Sequence, residues 1–290
     1  MYERAYSGNI VIACQGPAES QVVDTPYGEM RSRSGAKLKY VRADGQLVYK
    51  KWTKDSSIPA AANVYLEDPT RDEVKQAIAK VLSALSGFPQ DAIGIDFYFA
   101  GHGRLIDGAW ILKDDAFTAK MLCDTMENNL KNGAGECGLS MIIDSCYSGA
   151  FLINFMIQMQ QSVNLDFRDG LFSSLPHEKS WELSFLGHGA FTYTHMNKGN
   201  KNFDADSLTR AIEQNDYNII AKYTQGMIGA MANPTAYLTQ GRQHTIDVSK
   251  GCYINIPSYG HYSIFKKSMD ESIDFSKVAT DLRAIVDRYK

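Results

Sequence analysis

Two side chains able to make and break an acyl bond stand at the ends of two apolar runs. Ile95-Asp96-Phe97-Tyr98-Phe99-Ala100 leads into Gly101-His102-Gly103, and Leu139-Ser140-Met141-Ile142-Ile143-Asp144-Ser145 leads into Cys146-Tyr147-Ser148-Gly149. A thiol with its reference pKa of about 8.5 is mostly protonated at neutral pH. An imidazole within hydrogen-bond reach can take that proton and later hand it to a leaving amine. His102 and Cys146 are therefore the candidate base and nucleophile. The glycines around His102 let the backbone approach a substrate closely, and Gly103 can turn its N–H toward a scissile carbonyl.

Each run is short, rich in β-branched or aromatic residues, and bounded by small ones, as expected of a buried strand in a parallel sheet. If the two strands run the same way, His102 and Cys146 lie at their carboxyl ends, where open α/β sheets keep their sites.

These residues resemble the caspase and metacaspase clan of cysteine peptidases. Tyr98-Phe99-Ala100-Gly101-His102-Gly103 is similar to the clan's histidine box, and Asp144-Ser145-Cys146-Tyr147-Ser148-Gly149 to its cysteine box, nearer to metacaspases than to animal caspases. In caspases the His lies about 50 residues upstream of the Cys, a spacing close to that of 102 and 146. The resemblance implies an α/β caspase-like (caspase-hemoglobinase) fold, a mostly parallel central sheet with helices on both faces. It also implies a Cys-His dyad acting through a thioester, with the N–H groups of Gly103 and Cys146 as the oxyanion hole. It is good over about 93–238, weak before 63 and absent after 248.

The same comparison bears on specificity. Animal caspases hold an acidic side chain in a basic pocket. Two residues before the nucleophile they carry Gln, where this chain has Asp144. After the Trp of a Ser-Trp-x stretch they carry Arg, where this chain has Glu182, five residues before Gly187. Acids at both positions reverse the sign of the pocket and suit a substrate Arg or Lys, the guanidinium pairing with a carboxylate through two parallel hydrogen bonds. Asp24 falls where the family's cleft begins and is a third candidate lining residue. Between 162 and 179 the sequence is aperiodic and reads as an exposed linker, a stretch often cut during activation in the resembled family, with Arg168 and Lys179 as its basic residues.

The remaining chain must supply the scaffold. Asn9–Cys14 reads as a first central strand and 15–37 as a long loop. Leu38–Arg42 and Leu47–Trp52 flank Asp44-Gly45, a favourable hairpin turn, so 38–52 is expected to be a hairpin insertion. Asn63–Leu66 is a further strand. Thr70-Arg71-Asp72-Glu73 has capping-box form and opens a helix to Leu85. Trp110–Leu112 is a short return strand, and 118–130 and 148–161 are helical. Lys179–Glu182 followed by Gly187–Tyr193 resembles the strand, Gly turn and following helix of the family's small-subunit half. Helices at 204–213 and 217–231, strands near 236–239 and 245–248, and a helix at 274–289 complete a single domain over 1–290, with 249–290 as a helical extension.

Composition narrows the function classes. An apolar share of 44% and a charged share of 22% are those of a soluble globular protein. A formal charge of −3 offers no basic face for nucleic acid. No run is long and apolar enough for a bilayer, and the first residues do not have the pattern of a signal peptide. The cysteines at 14, 123, 137, 146 and 252 have no disulfide-framework spacing, which fits reduced thiols in a cytoplasmic protein. No metal-ligand pattern appears. Asp114-Asp115 reads as a capping or solvated pair, and although metacaspases often need calcium, no calcium-loop motif is present. The expected partners are a polypeptide substrate and a protein activator or regulator. Two other classes share these residues: a silent caspase-like adaptor, which would have lost His or Cys, and an acyl transferase on the same fold.

Overall fold

A computed structural model describes residues 6–16, 22–25, 28–31, 37–54, 58–89, 92–130, 137–159, 161–176, 178–180, 182–183, 187–196, 246–249, 253–256 and 260–263. The expected helices at 204–213, 217–231 and 274–289 and the strand near 236–239 lie outside these residues.

The first strand, β1 (Tyr6–Ala13), is buried from Gly8 onward and is followed by a two-stranded antiparallel ribbon, β2 (Val22–Thr25) and β3 (Gly28–Arg31). The 15–37 stretch, expected to be all loop, thus contains a hairpin. Next comes α1 (Val41–Trp52), which corrects the hairpin expected over 38–52. Its buried positions, Val41, Asp44, Gly45 and Val48, form one helical face. Gly45 is where α1 rests on the sheet: a methyl there would stand 2.8 Å from Ala13 Cβ and 2.9 Å from Tyr65 Cε2. The Asp-Gly pair serves packing and a buried hydrogen bond rather than a turn.

Strand β4 (Asn63–Glu67) leads into α2 (Arg71–Leu85), whose capping box is made: the Thr70 N–H donates to Glu73 Oε2 at 2.7 Å and the Glu73 N–H to Thr70 Oγ1 at 3.3 Å. Strand β5 (Ile93–Gly101) follows, then the short pair β6 (Trp110–Ile111) and β7 (Ala116–Phe117), and α3 (Ala119–Asn129). Strand β8 (Cys137–Ser145) ends at the nucleophile, and α4 (Ser148–Met159) departs from it. Asp114 and Asp115 are taken up by Arg71, at 3.6 and 3.2 Å.

The 162–179 stretch is not a linker. Leu165–Phe172 forms β9, parallel to β8. A shift of register beside Leu139/Ser140 leaves Arg168 as an extra residue between Phe167 and Asp169, which breaks the alternation that marks a strand. Arg168 Nε bonds Asp166 Oδ2 at 2.8 Å. β9 sits inside the main sheet, so Arg168 is withdrawn as a processing site.

A small ribbon, β10 (Glu182–Leu183) and β11 (His188–Gly189), precedes α5 (Ala190–Met196). Then β12 (Ile246–Ser249), β13 (Tyr253–Ile256) and β14 (Gly260–Ser263) add antiparallel strands beyond β9. The segment after 249, expected to be helical, therefore begins with sheet. The main sheet has eight strands in the order β14-β13-β12-β9-β8-β5-β1-β4, parallel from β4 to β9.

Side chains alternate along β5. Phe97 and Phe99 enter a large core with α2, α3 and α4, while Tyr98 and Ala100 face a second cluster containing Val41 and Val48 of α1 and Met196 of α5. The fold class is thus α/β, a mostly parallel sheet with helices on both faces. Phe99, Trp110 and Phe151 stack at 4.8 and 4.9 Å beneath the turn that carries His102. Among the described residues no helix is long and apolar enough to cross a membrane.

Candidate active site

Register decides the site. β5 and β8 are neighbours, with Ala100 opposite Asp144 and Gly101 opposite Ser145. The next residues out of the two strands are His102 and Cys146, so they leave the sheet side by side. Gly103 shows how close the turns are: a methyl there would stand 1.9 Å from the Cys146 carbonyl oxygen. Only glycine fits. His102 is backed by the residues after β1, where a methyl on Gly16 would stand 2.5 Å from the imidazole Cδ2. Gly16 also has φ +89°, a backbone conformation that disfavours any other residue.

Cys146 is half-buried, and burial pushes its thiol above the ordinary value, so the resting sulfur carries a proton. Its Sγ lies 3.9 Å from the Ser180 carbonyl oxygen. Tyr147, the next residue, holds φ +59° and donates its N–H to Glu178 O at 2.8 Å. The Glu178–Ser180 segment thus lies along the nucleophile turn. Lys179 in its middle is exposed.

One pocket is lined by both His102 and Cys146 and by three carboxylates, Asp44, Asp144 and Glu182, together with Val41, Ser180 and Gly189. Asp144 is 7% exposed. It accepts from Ser180 Oγ at 2.6 Å, Thr192 Oγ1 at 2.7 Å and the Thr192 N–H at 3.2 Å, and does not cap α4. Glu182 accepts the backbone N–H groups of Tyr40 at 2.9 Å and Lys39 at 3.1 Å, at the entry to α1. Burial raises both carboxyls above their ordinary values.

Asp44 is the residue the sequence did not reveal. It is 1% exposed in the first turn of α1, with Oδ1 2.7 Å from His188 Nδ1 and Oδ2 accepting the Gly189 N–H at 2.9 Å. The spacing of 41, 44, 45 and 48 was the available signal. Asp44 and Asp144 converge on Gly189, where a methyl would lie 3.1 Å from the first carboxylate and 2.6 Å from the second. The absence of a side chain lets both carboxylates close on the Gly189 backbone. No Lys or Arg is among the described residues lining this pocket.

His188 is drawn in by Asp44. Asp24 lies in β2, its backbone opposite Glu29. Cys14, Cys123 and Cys137 are buried. Among the described residues no group of three or more His, Cys, Asp or Glu side chains is arranged to hold a metal ion, the three pocket acids included.

No protein-family model matches the chain, and no curated protein matches it. A similar solved structure is caspase-1 from Spodoptera frugiperda. It is 14% identical, aligns with 84% of this chain and 88% of its own, and gives a TM-score of 0.48. At that similarity nothing about activity passes from one chain to the other. The chemistry rests on the residues.

Proposed function

We propose that this chain is a cysteine endopeptidase that cuts polypeptides after Arg or Lys. The observation that carries the reading is one pocket lined by a thiol, an imidazole and three acids, with no Lys or Arg among the described residues lining it. Buried carboxylates of one sign repel each other and are costly to desolvate, and a substrate guanidinium or ammonium supplies the missing countercharge.

In the proposed reaction the side chain before the cut enters between Asp44, Asp144 and Glu182. His102 takes the proton from the Cys146 thiol as the sulfur attacks the scissile carbonyl carbon, and the oxyanion is held by the N–H groups of Gly103 and Cys146. Because burial raises the thiol, proton removal accompanies attack rather than preceding it. His102 then protonates the leaving amine, and water hydrolyses the thioester. The substrate class is polypeptide, and the reduced cysteines fit a cytoplasmic setting.

The test is a set of peptides identical except at the residue before the scissile bond. Cleavage after Arg or Lys at least tenfold faster than after Asp or Leu is expected; preference for Asp would overturn the pocket assignment. The pH dependence adds a second check. Burial raises the Asp44 carboxyl to about 6, against the pull of its hydrogen bond with His188. Above that value the group is a carboxylate and holds a cation; below it the group is neutral. Cleavage after Arg divided by cleavage after Leu should therefore rise as pH increases through about 6. The quotient removes the titration of Cys146 and His102, which both substrates share. In Asp44→Asn that step should vanish, and a step kept by the variant would assign it to another group.

A further inference from the structure

The turn that carries His102 continues into a loop that holds two apolar side chains in water. Leu105 is 54% exposed and Ile106 52%. The one other large hydrophobic so exposed among the described residues is Val163, far along the chain. The loop around the pair is closely braced. Arg104 Nε donates to Asp107 Oδ1 at 2.8 Å, and a second guanidinium nitrogen bonds Oδ2. The Gly108 N–H donates to Arg104 O at 2.8 Å, and the Arg104 N–H to Ala109 O at 2.9 Å. Asn154 of α4 donates to Asp107 O at 3.2 Å, and a methyl on Gly108 would stand 2.3 Å from the Phe151 nitrogen. These contacts brace the base of the loop on which Leu105 and Ile106 stand exposed. Exposed apolar groups held rigidly beside a site mark a binding surface.

Position says which part of a ligand they meet. The pocket of three acids lies on the α1 and α5 side of the sheet, whereas the loop packs on the N-terminal turn of α4, on the opposite side. His102 and Cys146 stand between, at the strand ends. In an extended peptide successive side chains point in opposite directions. A residue that sends its cationic side chain into the pocket therefore leaves its successor facing the α4 side. We infer that the Leu105–Ile106 tip is the subsite for an apolar side chain on the residue immediately after the scissile bond. This rests on the peptidase reading and adds the other half of the cleavage motif: basic before the cut, apolar after it.

The experiment uses the full-length protein and internally quenched peptides with Arg before the cut and Leu, Phe, Gly or Asp after it. Wild type should favour Leu or Phe over Gly by about tenfold in kcat/KM, the discrimination an apolar contact of this size supplies. In the double variant Leu105→Ser/Ile106→Ser that ratio should fall to near one. Leu105→Lys should raise cleavage before Asp severalfold, a gain that misfolding cannot produce. Equal cleavage of all four peptides by wild type would overturn the inference while leaving the peptidase reading in place, as would a ratio unchanged in the double variant. Hydrolysis of an Arg methyl ester, which has no residue after the cut, separates the two: wild type inactive on the ester and on every peptide would mean that the peptidase reading itself has failed.

Discussion

Replacing Cys146 by Ala should lower peptide cleavage by roughly five to six orders of magnitude, the scale seen when a nucleophile is removed from a covalent mechanism. His102→Ala should cost about a hundred- to ten-thousandfold, because general acid–base help is lost while the nucleophile and oxyanion donors stay. Both purified variants should remain folded. Cys146 loses only a sulfur that lies 3.9 Å from a carbonyl oxygen, and His102 sits on a turn whose shape is set by Gly101, Gly103 and the stack under it. Far-ultraviolet circular dichroism and thermal melting beside the kinetic assay check this. Wild-type-like cleavage by either variant would remove the pair from the mechanism.

The second large effect belongs to Asp144. Asp144→Asn should reduce cleavage after Arg by roughly 30-fold or more, since taking away one partner of a desolvated charge pair costs ~2–5 kcal/mol and each ~1.4 kcal/mol is tenfold. Cleavage after Leu should change little, so the quotient of the two rates is the measurement that counts. Glu182→Gln should act in the same direction but less, because its carboxylate is half-buried and already occupied by the N–H groups of Lys39 and Tyr40. An equal loss on Arg and Leu substrates in Asp144→Asn would make Asp144 a structural residue holding Thr192 and Ser180 in place.

The strands bearing His102 and Cys146 were legible because a buried parallel strand announces itself by an unbroken apolar run with small residues at its end. The capping box at Thr70 was legible for a similar reason, being written within four consecutive residues. What misled was local evidence overruled by distant contacts. Asp44-Gly45 has the chemistry of a turn, yet Gly45 is needed for α1 to approach Ala13 and Tyr65, and Asp44 is needed by a histidine 144 positions later. No window of sequence contains those partners. In β9 the extra residue at Arg168 interrupts the alternation on which strand recognition depends, and Asp169-Gly170 adds a second turn-like signal. Asp144 and Glu182 could be proposed for one pocket by comparison with a family; Asp44 could not, since its burial follows from the packing of α1 rather than from its neighbours in the chain.

The run from Glu178 to Glu182 has a consequence for control. Its carbonyls and side chains touch, in turn, the backbone after the nucleophile, the sulfur itself, the acid at the pocket and the start of α1. Continuity of the covalent chain here is therefore a working part of the proposed site. A break after Lys179 would give two free ends where these contacts are now strung in series, and chain ends fray. Scission at that exposed residue would disarm the site, and any zymogen logic built on it would run as a fuse rather than as a trigger.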